Sequence, residues 1–126
     1  MTSSFDIHSD AFTEILNEDS SVEHIATGFA FTEGPIWVGG CLLFSDIPNS
    51  RIVKYHVEEE GASISTYKYP SGNSNGLTLD HDGNLIACEH TNRRLSLTDS
   101  NGNIKAVATR YKGKRLNSPN DVVVKS

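Results

Sequence analysis

The sequence predicts an all-β fold made of repeated four-stranded sheets, and the first reason is a pattern that occurs three times. In each copy an oxygen-bearing side chain precedes a small or turn-tolerant residue and then a short apolar run, beginning at Glu33, Asn75 and Asn120. The copies are separated by 42 and 45 residues. Strand repeats of that length are typical of β-propellers, in which each repeat is one sheet, or blade. Each polar residue is therefore predicted at the start of a blade's innermost strand.

The second reason is a match without gaps between residues 42–52 and residues 85–95. Apolar positions lie over apolar positions along both stretches. Three polar pairs also coincide, namely Asp46 with Glu89, Asn49 with Asn92, and Arg51 with Arg94. A match over a whole hairpin indicates two copies of one structural unit.

The residues before the repeat are predicted to be an N-terminal extension, residues 1–21. Ser9 is a candidate N-cap for a short helix that continues to Leu16. The propeller is assigned to residues 22–126, and residues 22–30 are predicted to form a strand that leads into the first blade.

Turn signals divide the repeat into strands. Gly39-Gly40 separates the first two strands of one blade, and Asp-Gly and Asn-Gly pairs at residues 82–83 and 101–102 mark tight hairpins in the next. The predicted strands are residues 34–38, 42–46, 51–56 and 64–69 in the first blade, and residues 77–80, 84–89, 94–98 and 104–109 in the second.

A third blade is predicted to begin at residues 122–124. Propellers close with four to eight blades. Two blades and the start of a third therefore predict that this chain is an N-terminal fragment of a larger propeller, whose remaining blades would follow Ser126.

Composition argues against several classes of partner. The formal net charge of −5 opposes nucleic-acid binding, which needs clustered cations. Lys112, Lys114 and Arg115 form a local basic cluster, which we interpret as a solvated loop. No apolar run approaches the roughly 18 residues needed to cross a bilayer, so no membrane partner is expected.

Two further features concern the cellular compartment. The N-terminus, MTSSFDIHSD, lacks the basic start and apolar stretch of a secretory signal, so a cytoplasmic location is expected. Cys41 and Cys88 do not form a metal-type pair such as C-x-x-C, and both are predicted to be buried free thiols.

The predicted topology places the candidate site residues on one face. Successive strands of a blade are antiparallel, so the start of the innermost strand and the loop between the second and third strands lie at the same end of the blade. Glu33, Asn75 and Asn120 are therefore expected to lie beside the loops that follow Asp46 and Glu89. Carboxylate and amide oxygens that converge on one axis suit a hard divalent cation such as calcium.

Structural roles remain open for each of these residues. Glu33 could be a solvated carboxylate, and the two asparagines could hydrogen-bond their own turns. His90 could position or protonate a ligand at neutral pH, or it could be an ordinary loop residue. Arg93 and Arg94 are expected to brace loops through Asp46 or Glu89, rather than to bind substrate.

Several segments resemble a known family. FTEGPIW at residues 31–37 and LFSDI at residues 43–47 resemble the opening of the SMP-30/gluconolactonase/LRE-like family. SNGL, CEHTNRR and KRLNSPND resemble its bacterial gluconolactonase branch, and the resemblance covers about residues 28–126. It implies a six-bladed propeller with one divalent metal in the central channel, commonly calcium, with Zn²⁺ or Mg²⁺ as alternatives. It also implies hydrolysis of a sugar lactone, typically glucono-1,5-lactone to gluconate.

The resemblance assigns roles residue by residue. Glu33 matches the family's metal-binding glutamate in the first blade, and Asn120 matches an asparagine at the metal and substrate site. Asn75, from the repeat alone, and His90 are expected to line the mouth as substrate-binding residues. Two further family ligands, an asparagine and an aspartate, belong to later blades. That aspartate is the usual candidate for general base and is expected beyond Ser126, so no catalytic residue is assigned within this chain.

The expected function is therefore a metal-dependent carboxylic ester hydrolase acting on a small sugar lactone, with the fragment itself inactive. The alternatives are a related propeller hydrolase of other esters or lactones, and a non-catalytic propeller that binds a protein. No oligomeric state is predicted.

Overall fold

The computed structural model describes residues 5–17 and 19–126, and its main structural units are two four-stranded antiparallel sheets. The first sheet contains, in spatial order, β1 (Thr32–Val38), β2 (Cys41–Asp46), β3 (Arg51–Glu58) and β4 (Gly61–Lys68). The second contains β5 (Ser74–Leu79), β6 (Leu85–Glu89), β7 (Arg94–Thr98) and β8 (Ile104–Ala108). A two-stranded hairpin follows, formed by β9 (Arg110–Tyr111) and β10 (Lys114–Arg115). The all-β prediction and its two consecutive blades are confirmed.

The turns form where the sequence supplies the required backbone conformations. Val38 pairs with Cys41, so Gly39 and Gly40 are a two-residue loop, and both have positive φ. That combination matches the right-handed twist of the strands and favours glycine. In the second blade, Asp80 Oδ1 accepts hydrogen bonds from the N–H groups of Asp82 and Asn84 at 3.0 and 2.8 Å.

The main hydrophobic core lies between the two blades, because β5 packs against β1 and β2. Its buried members are Leu43 and Ile52 from the first blade and Leu77, Leu85 and Ala87 from the second. Burying an aliphatic side chain of this size contributes about 1.5–3 kcal/mol. This core fixes the innermost strands of the two blades side by side.

Both innermost strands contain a β-bulge at the same place in the repeat. The register of β1 against β2 shifts between Glu33 and Ile36, and that of β5 against β6 shifts between Ser74 and Leu77. A bulge bends its strand and redirects nearby side chains. The polar residue at the start of each blade therefore sits at a bend and not in a regular ladder.

The N-terminal predictions are only partly correct. The predicted helix is a 3-10 helix at Asp10–Glu14 that buries none of its residues, and Ser9 occupies the N-cap position without a side-chain capping bond. Such a short helix without packing gains too little to extend to Leu16. Residues 1–4 and 18 of the predicted extension lie outside the described residues.

The strand predicted at residues 22–30 is wrong. This segment lies beside β1 and β2 of the first blade, and its end is held by a carboxylate instead of a strand ladder. Asp46 Oδ1 accepts hydrogen bonds from the N–H groups of Ala30 and Phe31 at 3.0 and 3.3 Å. The Phe29 ring packs edge-on against Phe44 with 5.0 Å between centroids.

The strand predicted at residues 122–124 is also absent from the described residues. The segment from Asp121 to Ser126 has no regular secondary structure, because no described strand pairs with it. The residues before it are nevertheless attached to the second blade, since the Gly76 N–H donates to the Asn120 carbonyl at 2.8 Å.

Two smaller predictions concern the cysteines and membranes. Cys41 and Cys88 are free and buried, as predicted. Within residues 5–17 and 19–126, no helix is long and apolar enough to cross a membrane.

Candidate functional site

Three predicted site residues line a single open cleft where the innermost strands meet. Glu33, Asn75 and Asn120 surround a volume of about 350 Å³, together with Asp121 and residues at the starts of β1 and β5. The structure thus brings together the polar residues of three successive repeats. The geometric expectation that these residues lie close together agrees with this arrangement, and their roles as ligands stay predictions.

Glycines allow the backbones around the cleft to approach closely. Gly34 follows Glu33 with φ of +58°, and a Cβ there would lie 2.9 Å from Gly76 Cα and against the Asn75 carbonyl. A Cβ on Gly76 would lie 2.7 Å from the Asn120 carbonyl oxygen. Each glycine therefore makes room for the polar residue of the next repeat.

Hydrogen bonds between blades fix the backbone of Asn75. The fully buried Ser45 hydroxyl donates to the Asn75 carbonyl at 2.7 Å, and its oxygen lies 2.9 Å from Ser74 Oγ. Neither Asn75 nor Asn120 uses its side-chain amide to hydrogen-bond its own turn within the part of the chain that the structure describes. Their side chains are therefore available to a ligand.

Two buried carboxylates on the same face have a structural role. Asp46 accepts hydrogen bonds from Asn49 at 2.8 Å and Arg51 Nε at 3.0 Å, and it forms an ion pair with the Arg51 guanidinium. Burial alone would raise the pKa of Asp46, but these hydrogen bonds outweigh it and the pKa lies below its usual value. The carboxylate is therefore ionised and fully occupied by the protein.

Glu89 occupies the equivalent place in the second blade. It accepts hydrogen bonds from Asn92 and from Arg94 Nε, the latter at 2.8 Å. Burial opposes ionisation here too, yet the bonds from Arg94 and Asn92 lower the pKa of Glu89 overall. The repeat-equivalent polar pairs thus form equivalent contacts, and Arg94 braces Glu89 as expected.

Arg93 has a different partner from the one predicted. Its Nε donates to the carbonyl of Leu116 at 2.7 Å instead of binding Asp46 or Glu89. Arg94 already neutralises Glu89, and the positive φ of Arg93, 51°, directs the chain into a turn. Arg93 therefore ties the loop after β6 to the segment that precedes Asn120.

His90 is not among the residues that line the cleft. Its N–H donates to the Asn73 carbonyl at 3.3 Å, and its carbonyl accepts from the Arg93 N–H at 3.2 Å. Its Nε2 is buried and has no hydrogen-bond partner among the described residues. The structure places His90 in the turn after β6, outside the cleft lining that contains the other three predicted residues.

Asp121 is the cleft residue that sequence reasoning did not assign. It lines the cleft, and its Oδ1 accepts a hydrogen bond from the Val122 N–H at 2.8 Å. Burial, and secondarily the negative charge of Asp121, raise the pKa of the Cys88 thiol to about 11. The available signal was the position of Asp121 directly after Asn120, where a second oxygen-bearing side chain follows the first.

The predicted general base is a different aspartate. It is expected beyond Ser126, in a later blade, and therefore stays a prediction outside the residues of this chain. Asp121 adds an acidic side chain to the cleft, but its Oδ1 is engaged by the adjacent backbone N–H. The structure thus supplies a candidate ligand at position 121, and the catalytic residue remains unassigned.

The donor set of the cleft is made of oxygen. It contains two carboxylates, from Glu33 and Asp121, and two amides, from Asn75 and Asn120. Among the described residues, no three His, Cys, Asp or Glu side chains cluster as a metal site. Mixed carboxylate and amide oxygens fit a hard cation such as calcium better than zinc, which prefers nitrogen and sulfur.

Repeated antiparallel blades beside an oxygen-lined cleft define a propeller-type chain with a candidate site where its innermost strands meet. Residues 31–126 match the model of the SMP-30/Gluconolactonase/LRE-like region, and the chain belongs to this family.

Named relatives are gluconolactonases. The chain is 33% identical over 124 residues to a gluconolactonase of Zymomonas mobilis subsp. mobilis, a match that covers 86% of this chain and 34% of the relative.

Several chains among the solved structures are similar, including the following two. One is an X-ray structure of a candidate gluconolactonase, with a TM-score of 0.81 and 33% identity, covering 93% of this chain and 40% of that one. The other is a Xanthomonas campestris gluconolactonase described as important in glucose secondary metabolic pathways. Its TM-score is 0.69 and its identity 32%, covering 77% of this chain and 32% of that one. The chain thus spans between about a third and two fifths of the length of these relatives.

Proposed function

We propose that the complete protein carrying this chain is a metal-dependent hydrolase of small sugar lactones, with glucono-1,5-lactone as the first substrate to test. The observation that carries the proposal is the meeting of Glu33, Asn75 and Asn120 in one cleft. Membership of the gluconolactonase family and similarity to proteins named gluconolactonase support it.

The cleft residues would divide the work by their chemistry. Glu33 and Asn120 would hold the divalent cation, calcium first, with Asp121 as an additional oxygen donor. When bound, such a cation polarises a lactone carbonyl and lowers the pKa of a water molecule. The Asn75 amide, on a backbone fixed by Ser45, can donate a hydrogen bond to a sugar hydroxyl and orient the ring.

The general base is not assigned to a residue of this chain. The family resemblance implies an aspartate from a later blade, beyond Ser126, which would take a proton during ring opening. We therefore propose that the 126-residue chain alone does not hydrolyse lactones, since it spans only between about a third and two fifths of the length of its gluconolactonase relatives.

The test is lactone hydrolysis by the complete protein before and after exhaustive chelation, with metal analysis of the same sample. We expect bound divalent metal, loss of hydrolysis on chelation and recovery on adding calcium. Unchanged turnover by metal-free protein would reject the mechanism.

The same protein sample distinguishes the two alternative functions, a related propeller hydrolase and a non-catalytic binding propeller. A panel of other lactones and esters identifies a related hydrolase if glucono-1,5-lactone is a poor substrate. A protein without bound cation and without turnover on any member of the panel would be a binding module.

A further inference from the structure

The cationic hairpin, residues 110–115, concentrates positive charge on an otherwise acidic chain. It carries Arg110, Lys112, Lys114 and Arg115, all exposed. No Asp or Glu occurs anywhere in residues 100–120. Within the described part of the chain, none of these four side chains forms an ion pair, and neither does the neighbouring Arg93. The hairpin is therefore a local positive surface without internal compensation.

Two features of the hairpin lower its local stability. Arg110 and Arg115 are directly opposite each other in the β9–β10 ladder, and like charges in that relation are destabilising. Lys112 adopts φ of +47° in the two-residue turn, where Gly, Asn or Asp is favoured. Arg110 Nη1 offsets part of this cost by donating to the Gly113 carbonyl at 2.9 Å. Features that oppose local stability are expected at functional sites.

The hairpin is held firmly on the side of the molecule that bears the cleft. Arg93 Nε donates to the Leu116 carbonyl at 2.7 Å, and the Arg115 guanidinium donates to the Asn92 carbonyl at 3.1 Å. Both contacts attach the hairpin to the loop after β6. Each arginine retains further N–H donors beyond these bonds.

The hairpin is also close to the cleft along the chain. Arg115 ends β10, and five residues later Asn120 lines the cleft. Five residues span at most about 18 Å. The hairpin therefore borders the segment that enters the cleft, and its charged side chains belong to the surroundings of the cleft mouth.

We propose that the cationic hairpin, with Arg93, binds the carboxylate or phosphate group of a sugar acid at the mouth of the cleft. Arginine and lysine are the side chains that recognise these anions, and closely spaced arginines bind them through several N–H groups at once. The inference rests on the proposed function for the sugar part of its ligand, because opening a sugar lactone produces a carboxylate.

The experiment is isothermal titration of the complete protein with 6-phosphogluconate, gluconate, inorganic phosphate and glucose. The test variant is the double substitution Lys112→Gln with Lys114→Gln. The matched control, Lys54→Gln with Lys105→Gln, removes the same charge from β3 and from the far end of β8. Thermal unfolding verifies that both variants fold.

We expect the two sugar acids to bind more tightly than inorganic phosphate or glucose. Affinity should fall with added NaCl, since salt screens exposed charges. The hairpin variant should bind sugar acids about fivefold more weakly, as two exposed ion pairs imply, and the control should bind as the unmodified protein does.

The inference would be overturned by equal affinity in the hairpin variant, by equal weakening in the control, or by glucose binding as tightly as the sugar acids. Inorganic phosphate binding as tightly as 6-phosphogluconate would also overturn it, because the sugar would then contribute nothing. Failure of the proposed lactonase function can be distinguished from failure of the anion-binding inference. Absent lactone hydrolysis with intact anion binding rejects the lactonase alone, whereas hydrolysis with unchanged binding in the hairpin variant rejects this inference alone.

Discussion

Gly34 lies so close to the backbone of Asn75 that a Cβ at position 34 would collide with the Asn75 carbonyl oxygen. This contact sets the spacing between the first two cleft residues, because Gly34 directly follows Glu33. The site therefore depends on a backbone approach as much as on the side chains that surround it.

Replacing Gly34 with alanine should destabilise the fold by about 2 kcal/mol or more, from a strained φ and a collision with backbone atoms. The matched control is Gly39→Ala, where φ is +53° but a Cβ would meet nothing within 4 Å. Gly39→Ala should lower the free energy of unfolding by about 1 kcal/mol, because only the left-handed backbone conformation opposes the new side chain. Urea unfolding of both variants measures the difference, and equal losses would show that the approach to Asn75 is unimportant.

Replacing Glu33 with glutamine should weaken divalent-metal binding by about tenfold or more, because it removes a carboxylate charge while keeping the shape. Lactone hydrolysis by the complete protein should fall with it. The control is Glu59→Gln, which removes one negative charge from the exposed turn between β3 and β4, outside the cleft. It should change neither metal affinity nor lactone hydrolysis. Metal titration and turnover assays provide the measurement, and unaltered metal affinity in Glu33→Gln would exclude Glu33 as a ligand.

Stability should fall in acid because of Asp46 and Glu89. Their pKa values are lower in the folded protein than their usual values of 3.8 and 4.5. Each carboxylate therefore contributes stability that is fully present above its unfolded pKa and is lost as the pH falls through its folded pKa. The free energy of unfolding should decline progressively below about pH 4.5.

Asp46→Asn should lower the free energy of unfolding by about 2–3 kcal/mol at neutral pH, since it breaks hydrogen bonds to a charged group. Because the titrating carboxyl is gone, the variant should also lose less stability as the pH falls. Asp82→Asn, in the exposed turn before β6, is the control and should leave the pH profile unchanged. Urea titrations between about pH 2 and 7 test both variants across the range in which carboxylates titrate. An Asp46→Asn profile as steep as that of the unmodified chain would contradict the assignment.

Both thiols should be unreactive in the folded protein. Cys41 and Cys88 are buried, and the pKa of Cys88 is raised to about 11, so at about pH 8 its thiol remains protonated. A colorimetric thiol reagent should label neither cysteine at that pH until urea unfolds the chain, after which both should react. Rapid labelling of Cys88 in native conditions would show that the strand ends around it open readily.

The eight blade strands could be predicted because turn residues and apolar runs mark them locally. The equivalence of Asp46 with Glu89 also followed from the repeat, and both carboxylates bind the expected arginine. The meeting of Glu33 and Asn120 in one cleft followed from antiparallel connectivity. These features depend on short-range pattern or on strand direction, both of which are visible in a sequence.

Other features depend on contacts between distant residues. Residues 22–30 have a strand-like composition, but Asp46 binds the N–H groups at the end of this segment and no ladder forms. The partner of Arg93 is a backbone carbonyl, which no side-chain pattern reveals. Asp121 joins the cleft because the preceding residue, Asn120, accepts a hydrogen bond from the Gly76 N–H. Such partners are fixed only when the blades pack together.

The contacts that define the cleft run between neighbouring innermost strands, from Gly34 to Asn75 and from Gly76 to Asn120. The peripheral strands β4 and β8 are largely exposed and take no part in them. The geometry of the cleft should therefore tolerate insertions, deletions or fused peptides at β4 and β8. A protein engineer can attach tags there without moving the oxygen-bearing side chains of the cleft.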